Sequence, residues 1–585
     1  MAKFVAVLPL LILAAGCGKK PAEQFAALSQ EFVYTTLSFS PSAATAAGLH
    51  KYKDQNLDDR LDDISPAAVA RQRAFYVDFR ERLARLKQED VSLEDRADWK
   101  ILEDQISLAL LEFDGIRNYM HNPTTYVENL GNALFTPYVL EYAPKGDRAT
   151  HIIARLKQIP LYLDQARSNM TSAPDIWASV AMDENLANID MVDKTLRAWM
   201  PDDQRETYAR AAQPALMAMH RFQSYLKDNL LARNDYNWRL GGKNYPSKFR
   251  YALESGIEAD NALLMAETEL KVVRERMLAL SLPLHKQMFP SHPEHTDLAG
   301  EARENRVIGE VLAKIADRHS TPASYMDDAR KDLEEAHAYV ESAHLLTLPT
   351  GANLQVIPTP EFMRGVYSVG GFNAAPALEP QLGAFYWITP IAPDWPKDKA
   401  ESKLREYNFY KLKLLTMHEA MPGHYVQMEV ANGVQPPGRR LLRSVFGNGP
   451  YIEGWAEFIT RTMIDQGYLD HSPELALTFA KEELRVLANT ILDVRLHMLD
   501  MTDQEALDLM EHRTFQEHEE AVEKLQRAKL SSCQLPMYFL GWRGWSQVRN
   551  DYQHAKGGAF SVSEFNDRAL KEGAVPLPML GGLLQ

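Results

Sequence analysis

At residues 418–424 the chain reads His418-Glu419-Ala420-Met421-Pro422-Gly423-His424, and a helical pattern leads into this stretch. Paired histidines on one helical face are normally four residues apart. Six residues turn an ideal helix by about 600°, so His418 and His424 would diverge by about 120°. Pro422 lacks the amide that would bond the carbonyl of His418, and Gly423 tolerates unusual dihedrals. The stretch therefore predicts a break or a bulge that returns His424 to His418.

Two His and a Glu in this setting are the residue types of a zinc hydrolase. Neutral imidazoles bind zinc, a carboxylate from another element completes three protein ligands, and water takes the open position. Glu419 directly follows the first His and is positioned to take the proton of that water. The sequence therefore predicts a Zn²⁺ site with His418 and His424 as ligands and Glu419 as the general base. The alternative is a helix end that carries two unrelated histidines.

A candidate for the third ligand lies about thirty residues further on. The stretch Tyr451-Ile452-Glu453-Gly454-Trp455-Ala456-Glu457 follows the helix breaker Gly447-Asn448-Gly449-Pro450. Glu453 and Glu457 lie one turn apart on one helical face, so one can bind the metal while the other orients a ligand. Two solvated helix carboxylates are the alternative, but the surrounding apolar and aromatic residues disfavour it.

Outward from these motifs, helical signals dominate. Ser65 and Ser92 are predicted N-caps, and Pro66 suits a first helical position. The segment Gly383–Thr389 is short, aromatic and β-prone, and we interpret it as a strand, at a sheet edge. The fold class expected is mainly α, a large two-lobed helical metallopeptidase-like fold with a small β element near the cleft. Further helical runs are predicted at roughly 150–170, 203–232, 257–283, 301–317, 322–345 and from about 403 into the motif.

The length of 585 residues exceeds what one compact core usually holds. We expect an N-terminal helical region at 25–345 and a metal-binding catalytic region at 346–585, packed together as one unit. The cluster His292-Pro293-Glu294-His295 contains metal-ligating residue types. It lies in a proline-rich loop, and we do not predict a metal site there.

The N-terminus has the pattern of a lipoprotein signal peptide at 1–17, followed by a tether at 18–24. Lys3 precedes a short apolar run that ends in Leu13-Ala14-Ala15-Gly16-Cys17, which predicts lipidation of Cys17. An ordinary secretory signal is the alternative. We expect a lipid-anchored protein of the cell envelope, facing the periplasm or in the outer membrane of a Gram-negative bacterium.

Charge and cysteine content exclude several classes of function. The net charge of −15 argues against nucleic acid as a partner. Only two cysteines occur, Cys17 and Cys533, so there is no disulfide framework if Cys17 is lipidated. A zinc site built from cysteines is excluded by that count.

The motifs resemble those of the DUF885 family, bacterial proteins that are often lipoproteins. The resemblance is weak before residue 350 and clear after it. It rests on 418–424 with Gln427, on 451–456, on Gln534, Tyr538 and Gly541 in a Q-A-L-x-Y-K-x-G pattern, and on the tail 573–580, which is similar to G-x-L-P-L-P-x-L.

The family is similar to the helical gluzincin peptidases, which include angiotensin-converting enzyme and the thimet-type oligopeptidases. This similarity implies that Glu453 is the third metal ligand and that Glu457 lies in the second shell. The chain departs from the family at two points. Glu457-Phe458-Ile459-Thr460 follows Ala456 where the family has L-Y-A-E, which bears on the second shell, and Phe539 replaces the Lys of the C-terminal pattern, which bears on substrate choice.

The resemblance also implies supporting residues. Tyr538 is expected to hydrogen-bond a developing oxyanion, and His497, at a D-x-G-x-H position, to bind substrate or stabilise charge. Arg527, at an R-Y pair in which Ala528 replaces Tyr, suits a peptide carboxylate, and Gln534 is a further substrate-binding candidate. The alternatives are a buried core tyrosine, a structural histidine and a structural ion pair.

The function predicted is a zinc-dependent peptidase that hydrolyses short peptides in the cell envelope. Tyr386, on the expected strand, is predicted to line the cleft, where a strand edge suits an extended peptide. One alternative is a peptide-binding envelope lipoprotein with a non-catalytic metal site, although such a site would not need Glu419. Another is a mononuclear iron enzyme, since two His and one carboxylate also form the facial triad of iron oxygenases.

Overall fold

Helices account for 71% of the computed structural model and strands for 3%. The structure describes residues 20–233, 236–291, 295–350, 353–359, 364 and 369–585. The prediction of a mainly α fold with a small β element is therefore confirmed. The predicted lipidation site Cys17 and the residues His292, Pro293 and Glu294 lie outside the described residues.

The first helices form because caps and prolines define where they start. Ser65 accepts a hydrogen bond from the amide of Ala68, and Ser92 accepts one from Asp95, so both predicted N-caps are confirmed. The predicted tether is too long, because a helix with proline in its first turn already begins at Pro21. The elements are α1 (Pro21–Phe39), α2 (Pro41–Ala46), β1 (Lys51–Tyr52), β2 (Gln55–Asn56), α3 (Pro66–Leu83), α4 (Leu93–Leu111) and α5 (Asn118–His121).

Helices dominate the described residues between 124 and 342. The run predicted at 150–170 is two helices, because a new one with Pro160 in its first turn begins at Ile159. The helices at 124–139 and 175–190 were not predicted. The elements are α6 (Thr124–Val139), α7 (Lys145–Leu156), α8 (Ile159–Asn169), α9 (Asp175–Asp190), α10 (Arg197–Trp199), α11 (Arg205–Tyr225), α12 (Gly241–Leu253), α13 (Ala259–Met288), α14 (Gly300–Ile315) and α15 (Tyr325–Ser342).

A three-stranded sheet follows, made of β3 (Leu354–Pro358), β4 (Gly370–Asn373) and β5 (Ala384–Ile388). The strand order is β3-β5-β4, with β5 parallel to β3 and antiparallel to β4. The prediction that the aromatic strand lies at a sheet edge is therefore wrong. Four of its five residues are buried hydrophobics, which suits a strand paired on both sides.

The C-terminal helices carry the motifs. Those at 409–419 and 424–431 contain the two predicted His ligands, and the helix at 449–465 contains Glu453. The elements are α16 (Lys397–Glu406), α17 (Phe409–Glu419), α18 (His424–Ala431), α19 (Pro437–Val445), α20 (Gly449–Asp465), α21 (Pro473–Met498), α22 (Asp503–Asp508), α23 (His518–Leu530), α24 (Met537–Lys556), α25 (Val562–Lys571) and α26 (Leu577–Leu583).

Three hydrophobic clusters fill the described part of the chain. The largest joins α12–α15 to the C-terminal helices, a second lies among α6–α11, and a third packs α1, α3 and α4 with Leu441 and Leu442 of α19. The largest cluster therefore crosses the boundary expected at residue 345. Within the described ranges, no helix is both long and apolar enough to span a membrane.

Candidate metal centre

The helix that carries His418 stops immediately after the motif's glutamate. Helix α17 ends at Glu419, and α18 begins at His424, so the chain breaks rather than bulges between them. The break requires glycine at residue 423, because a Cβ there would lie 1.8 Å from the carbonyl oxygen of His418. The rings of His418 and His424 meet edge to face with centroids 4.8 Å apart. The Pro-Gly pair thus brings together two histidines that a continuous helix would separate.

Helix α20 holds this break from the other side. Asn448 caps α20 through the amide of Tyr451, and the indole of Trp455 donates a hydrogen bond of 3.0 Å to the carbonyl oxygen of Pro422. The two glutamates of α20 flank Gly454 and Trp455 in the sequence. The contact therefore fixes the distance between the carboxylates of α20 and the histidines.

A close crossing of α20 and α24 adds rigidity. A Cβ on Gly454 would lie 2.2 Å from the backbone carbon of Gly541, so the two helices approach with no side chain between them. The indole of Trp545 also donates a hydrogen bond of 2.8 Å to the carbonyl oxygen of Tyr451. Gly541 and Trp455 belong to the family motifs, and the sequence alone predicted no role for them. Their physical role is to fix α20 against its neighbours.

The three predicted ligands meet in one place. The Nε2 atoms of His418 and His424 lie 3.6 Å and 3.4 Å from Oε2 of Glu453, and we call these three residues the first cluster. One ligand atom from each residue lies within 4.8 Å of the others. Ligands about 2.0–2.1 Å from a tetrahedral zinc ion lie about 3.3–3.4 Å from one another. The separations are too long for ordinary hydrogen bonds and match the edges of such a tetrahedron.

Carboxylates dominate the electrostatics of the first cluster. Burial lowers the pKa of His418, but Glu453, Glu457 and Glu419 act against burial and raise it to about 9. Burial also opposes the charge on Glu453, yet His424 and His418 hold the pKa of Glu453 well below its usual range. The surroundings therefore favour positive charge between these side chains.

The two remaining acidic residues take different positions. Oε1 of Glu457 lies 3.6 Å from Nδ1 of His418, the ring nitrogen that faces away from Glu453. Burial is the main cause of the raised pKa of Glu457. Glu419 is half-buried at the end of α17, and its carboxylate has no hydrogen-bonding partner among the described residues. Glu457 is thus placed to orient a ring, whereas the oxygens of Glu419 are available.

The profile of DUF885, described as a bacterial protein of unknown function, matches residues 41–584. The chain belongs to the DUF885 family. No functionally curated protein sequence matches it.

Two solved structures resemble this DUF885 chain over almost its full length. A candidate lipoprotein of unknown function from Shewanella oneidensis has 26% identity and a TM-score of 0.80, covering 96% of this chain and 99% of its own. A candidate lipoprotein from Colwellia psychrerythraea has 16% identity and a TM-score of 0.74, covering 97% of this chain and 98% of its own, and shows the fold alone.

Tyr538 of the DUF885 C-terminal pattern contacts the first cluster, and Arg527 of the R-Y pair contacts Tyr538. The ring of Tyr538 stacks against that of His418 with centroids 6.4 Å apart. The guanidinium of Arg527 donates a hydrogen bond of 3.3 Å to the Tyr538 hydroxyl. Burial is the main cause that raises the pKa of Tyr538 to about 12, so the hydroxyl remains a proton donor at neutral pH. The structure therefore brings a donor and a cation to the rim of the cluster.

Three other predicted site residues make no described hydrogen bond or ion pair with the first cluster. Tyr386 is fully buried and shares a hydrogen bond of 3.1 Å with Thr416 of α17, so it supports that helix and does not line a cleft. His497 is buried against Tyr245, with Nε2 2.9 Å from the carbonyl oxygen of Ser531. Gln534 is exposed just before α24. For Tyr386 and His497 the positions match supporting roles in the core.

Proposed function

We propose that this DUF885 protein is a zinc-dependent peptidase acting on short peptides. The observation that carries the proposal is the geometry of the first cluster, in which each of two imidazole nitrogens lies 3.4–3.6 Å from the same carboxylate oxygen. Glu419 directly follows one of those imidazoles. Two His and one carboxylate form the donor set of a class of catalytic zinc sites, and the Glu419 side chain beside them is available as a base.

The residues fit a zinc ion on two grounds. The two His–Glu separations match the edges of a tetrahedral zinc site. Three protein ligands would leave the fourth position for water or substrate. Glu457 near Nδ1 of His418 also matches the carboxylate–histidine pairing that orients metal ligands. His418, His424 and Glu453 would hold the ion. Bound zinc would supply Lewis acidity toward a scissile carbonyl and would lower the pKa of water.

The chain's own residues then divide the remaining work. Glu419 takes the proton of the attacking water and passes it to the leaving amine. The Tyr538 hydroxyl, protonated at neutral pH, donates a hydrogen bond to the oxygen that gains negative charge on the carbonyl. Arg527 lies next to Tyr538 and is exposed, so it is suited to bind the carboxylate of a short peptide as a fork.

We also propose a lipid anchor at Cys17 and a place in the cell envelope. The support is the pattern Leu13-Ala14-Ala15-Gly16-Cys17 and the description of both similar structures as candidate lipoproteins. Cys17→Ser is expected to release the protein from membranes in a fractionation experiment. An unchanged membrane fraction, with no lipid on the wild-type N-terminus by mass spectrometry, contradicts the anchor.

The activity is tested with the purified chain by metal analysis and by profiling a peptide library. We expect zinc to bind and peptide bonds to be cleaved. His424→Ala should lose the zinc of the first cluster, and Glu453→Gln should weaken it so that excess zinc partly restores turnover. Glu457→Gln, one turn away on the same helix, is the comparison variant and should weaken zinc less than Glu453→Gln does under the same conditions.

Three outcomes would contradict the peptidase. Bound iron with no zinc would indicate a mononuclear iron enzyme with a facial triad. Zinc with peptide binding but no cleavage would indicate a binding protein with a non-catalytic site. Full zinc occupancy in both His424→Ala and Glu453→Gln would remove the first cluster from metal binding altogether.

A further inference from the structure

A second group of two His and a Glu lies outside the candidate site. Nε2 of His285 and Nε2 of His295 lie 2.8 Å and 2.9 Å from the same oxygen, Oε2 of Glu310. One ligand atom from each residue lies within 4.8 Å of the others, and we call these three residues the second cluster. His285 is on α13, Glu310 is on α14, and His295 is on the connection between them.

We propose that the second cluster is a separate zinc site. Both imidazoles direct Nε2 at the same carboxylate oxygen. Together with that carboxylate they would supply three of the four ligands of a tetrahedral ion. Zinc would replace the protons that the two rings direct at Glu310. The ligand separations would need to open by only about half an ångström to reach the spacing of bound zinc.

The setting of the second cluster suits a bound ion. His285 is 1% exposed, whereas the side chains of His295 and Glu310 are 12% and 17% exposed, so the ion would be held from inside and reached from solvent. His285 lies in the last turn of α13, where the helix dipole favours positive charge. His295 has a φ of +51°, a conformation that costs energy in a residue with a side chain.

Neither α13 nor α14 supplies a ligand to the first cluster, whose residues lie on α17, α18 and α20. The second site would therefore have a structural role. It would clamp the C-terminal end of α13 to α14, two helices of the largest hydrophobic cluster. Residues 292–295 alone do not predict a metal site, and His295 joins the second cluster only through His285 and Glu310.

An ordinary ion pair is the competing explanation, and the chain offers a comparison. His337 and Glu341 on α15 form a His–Glu pair with exposed side chains 3.5 Å apart. That pair has one imidazole, whereas the second cluster has two imidazoles on one oxygen and is largely buried. A variant at His337 is therefore a control for the loss of a histidine that has no metal role.

The test measures the number of zinc ions bound per purified chain, after chelation and titration with zinc alone. Wild type should bind two ions, one lost in Glu310→Gln and the other in His424→Ala, and His337→Gln should keep both. In a His424→Ala background, zinc should still raise the melting temperature, and adding His295→Gln should abolish that rise. The last comparison covers the case in which Glu310→Gln fails to fold.

The outcomes separate this inference from the proposed function. One zinc ion in wild type, lost in His424→Ala and retained in Glu310→Gln, would overturn the second site and leave the first. One zinc ion lost only in Glu310→Gln would support the second site and contradict the first. Two ions in both wild type and Glu310→Gln would also overturn the proposal, because the second ion would then bind elsewhere.

Discussion

The two clusters have the same side-chain types in different surroundings. In the first, the His nitrogens lie 3.4 Å and 3.6 Å from the Glu oxygen, and two further carboxylates, Glu419 and Glu457, lie nearby. In the second, the corresponding distances are 2.8 Å and 2.9 Å, and the other oxygen of Glu310 forms an ion pair with Nε of Arg306 at 2.7 Å.

The difference indicates what each cluster is built to do. The first contains an additional base, Glu419, and has a carboxylate behind His418. In the second, the carboxylate is balanced by a cation, and no residue described around it corresponds to Glu419. Ligand type alone therefore does not separate a reactive metal site from a structural one, whereas the neighbouring charges do. The predictions below test that difference.

The largest effect is expected for Glu419→Gln. The substitution keeps the size of the side chain and removes the base, so turnover should fall by about 10² to 10⁴-fold. Zinc content should stay at the wild-type value, because Glu419 is proposed to contact water and not the metal. Peptide turnover and zinc content are measured on the same preparations.

The matched control for Glu419→Gln is Glu341→Gln, which removes an exposed carboxylate outside both clusters and should leave turnover unchanged. If Glu419→Gln lost its zinc, it would be a ligand and the assignment of roles in the first cluster would be wrong.

A smaller loss is expected for Tyr538→Phe. Removing one donor to an oxyanion typically costs about 10² to 10³-fold in kcat. The pKa of Tyr538, raised to about 12 mainly by burial, keeps the hydroxyl protonated below that pH, so the donor is present over the neutral range. Tyr386→Phe is the control, because its hydroxyl bonds Thr416 inside the core. Equal losses in both variants would show that the effect of Tyr538 is structural.

Glu457→Gln tests the carboxylate behind His418. Groups that orient a ligand typically contribute about 10 to 100-fold to metal affinity or activity. Zinc affinity is measured by competition with a chelator, and the expected loss is smaller than that of Glu453→Gln. The reverse order would make Glu457 the third ligand, the alternative that spacing alone leaves open.

The first cluster was predictable from the sequence because its residues stand in two short motifs. Pro422 and Gly423 indicated a break after Glu419, and the structure has that break, although the ligand roles stay predictions. The strand at 384–388 was predictable from its aromatic residues. Its central place in the sheet was not, since the pairing depends on β3 and β4, whose own patterns are weak.

The second cluster was not predictable in this way. Glu310 is 25 residues from His285 and 15 from His295, and no regular spacing connects them. Only the packing of α14 alongside α13 in the same direction, which sets Glu304 against Arg274 and Glu310 against His285, brings them together. The same limit applies to Tyr386 and His497, whose types suit a site but whose burial is decided by packing between distant helices.

The smallest effect is expected for Arg306→Gln, which removes the cation beside Glu310. The Arg306–Glu310 pair is one turn apart on α14, and such pairs contribute about 0.3–0.5 kcal/mol, so the melting temperature of the metal-free protein should change little. Zinc affinity at the second cluster should rise. A unit positive charge about 5 Å from a divalent ion in water-like surroundings repels it by about 1–2 kcal/mol before screening, so removing the charge should strengthen zinc binding by about five-fold or more.

The gain in zinc affinity should shrink in high salt, and zinc at the first cluster should bind as in wild type. Zinc titrations in a His424→Ala background at low and high ionic strength measure the effect. Weaker zinc binding in Arg306→Gln would contradict the repulsion and would mean that Arg306 holds Glu310 in the orientation that zinc needs.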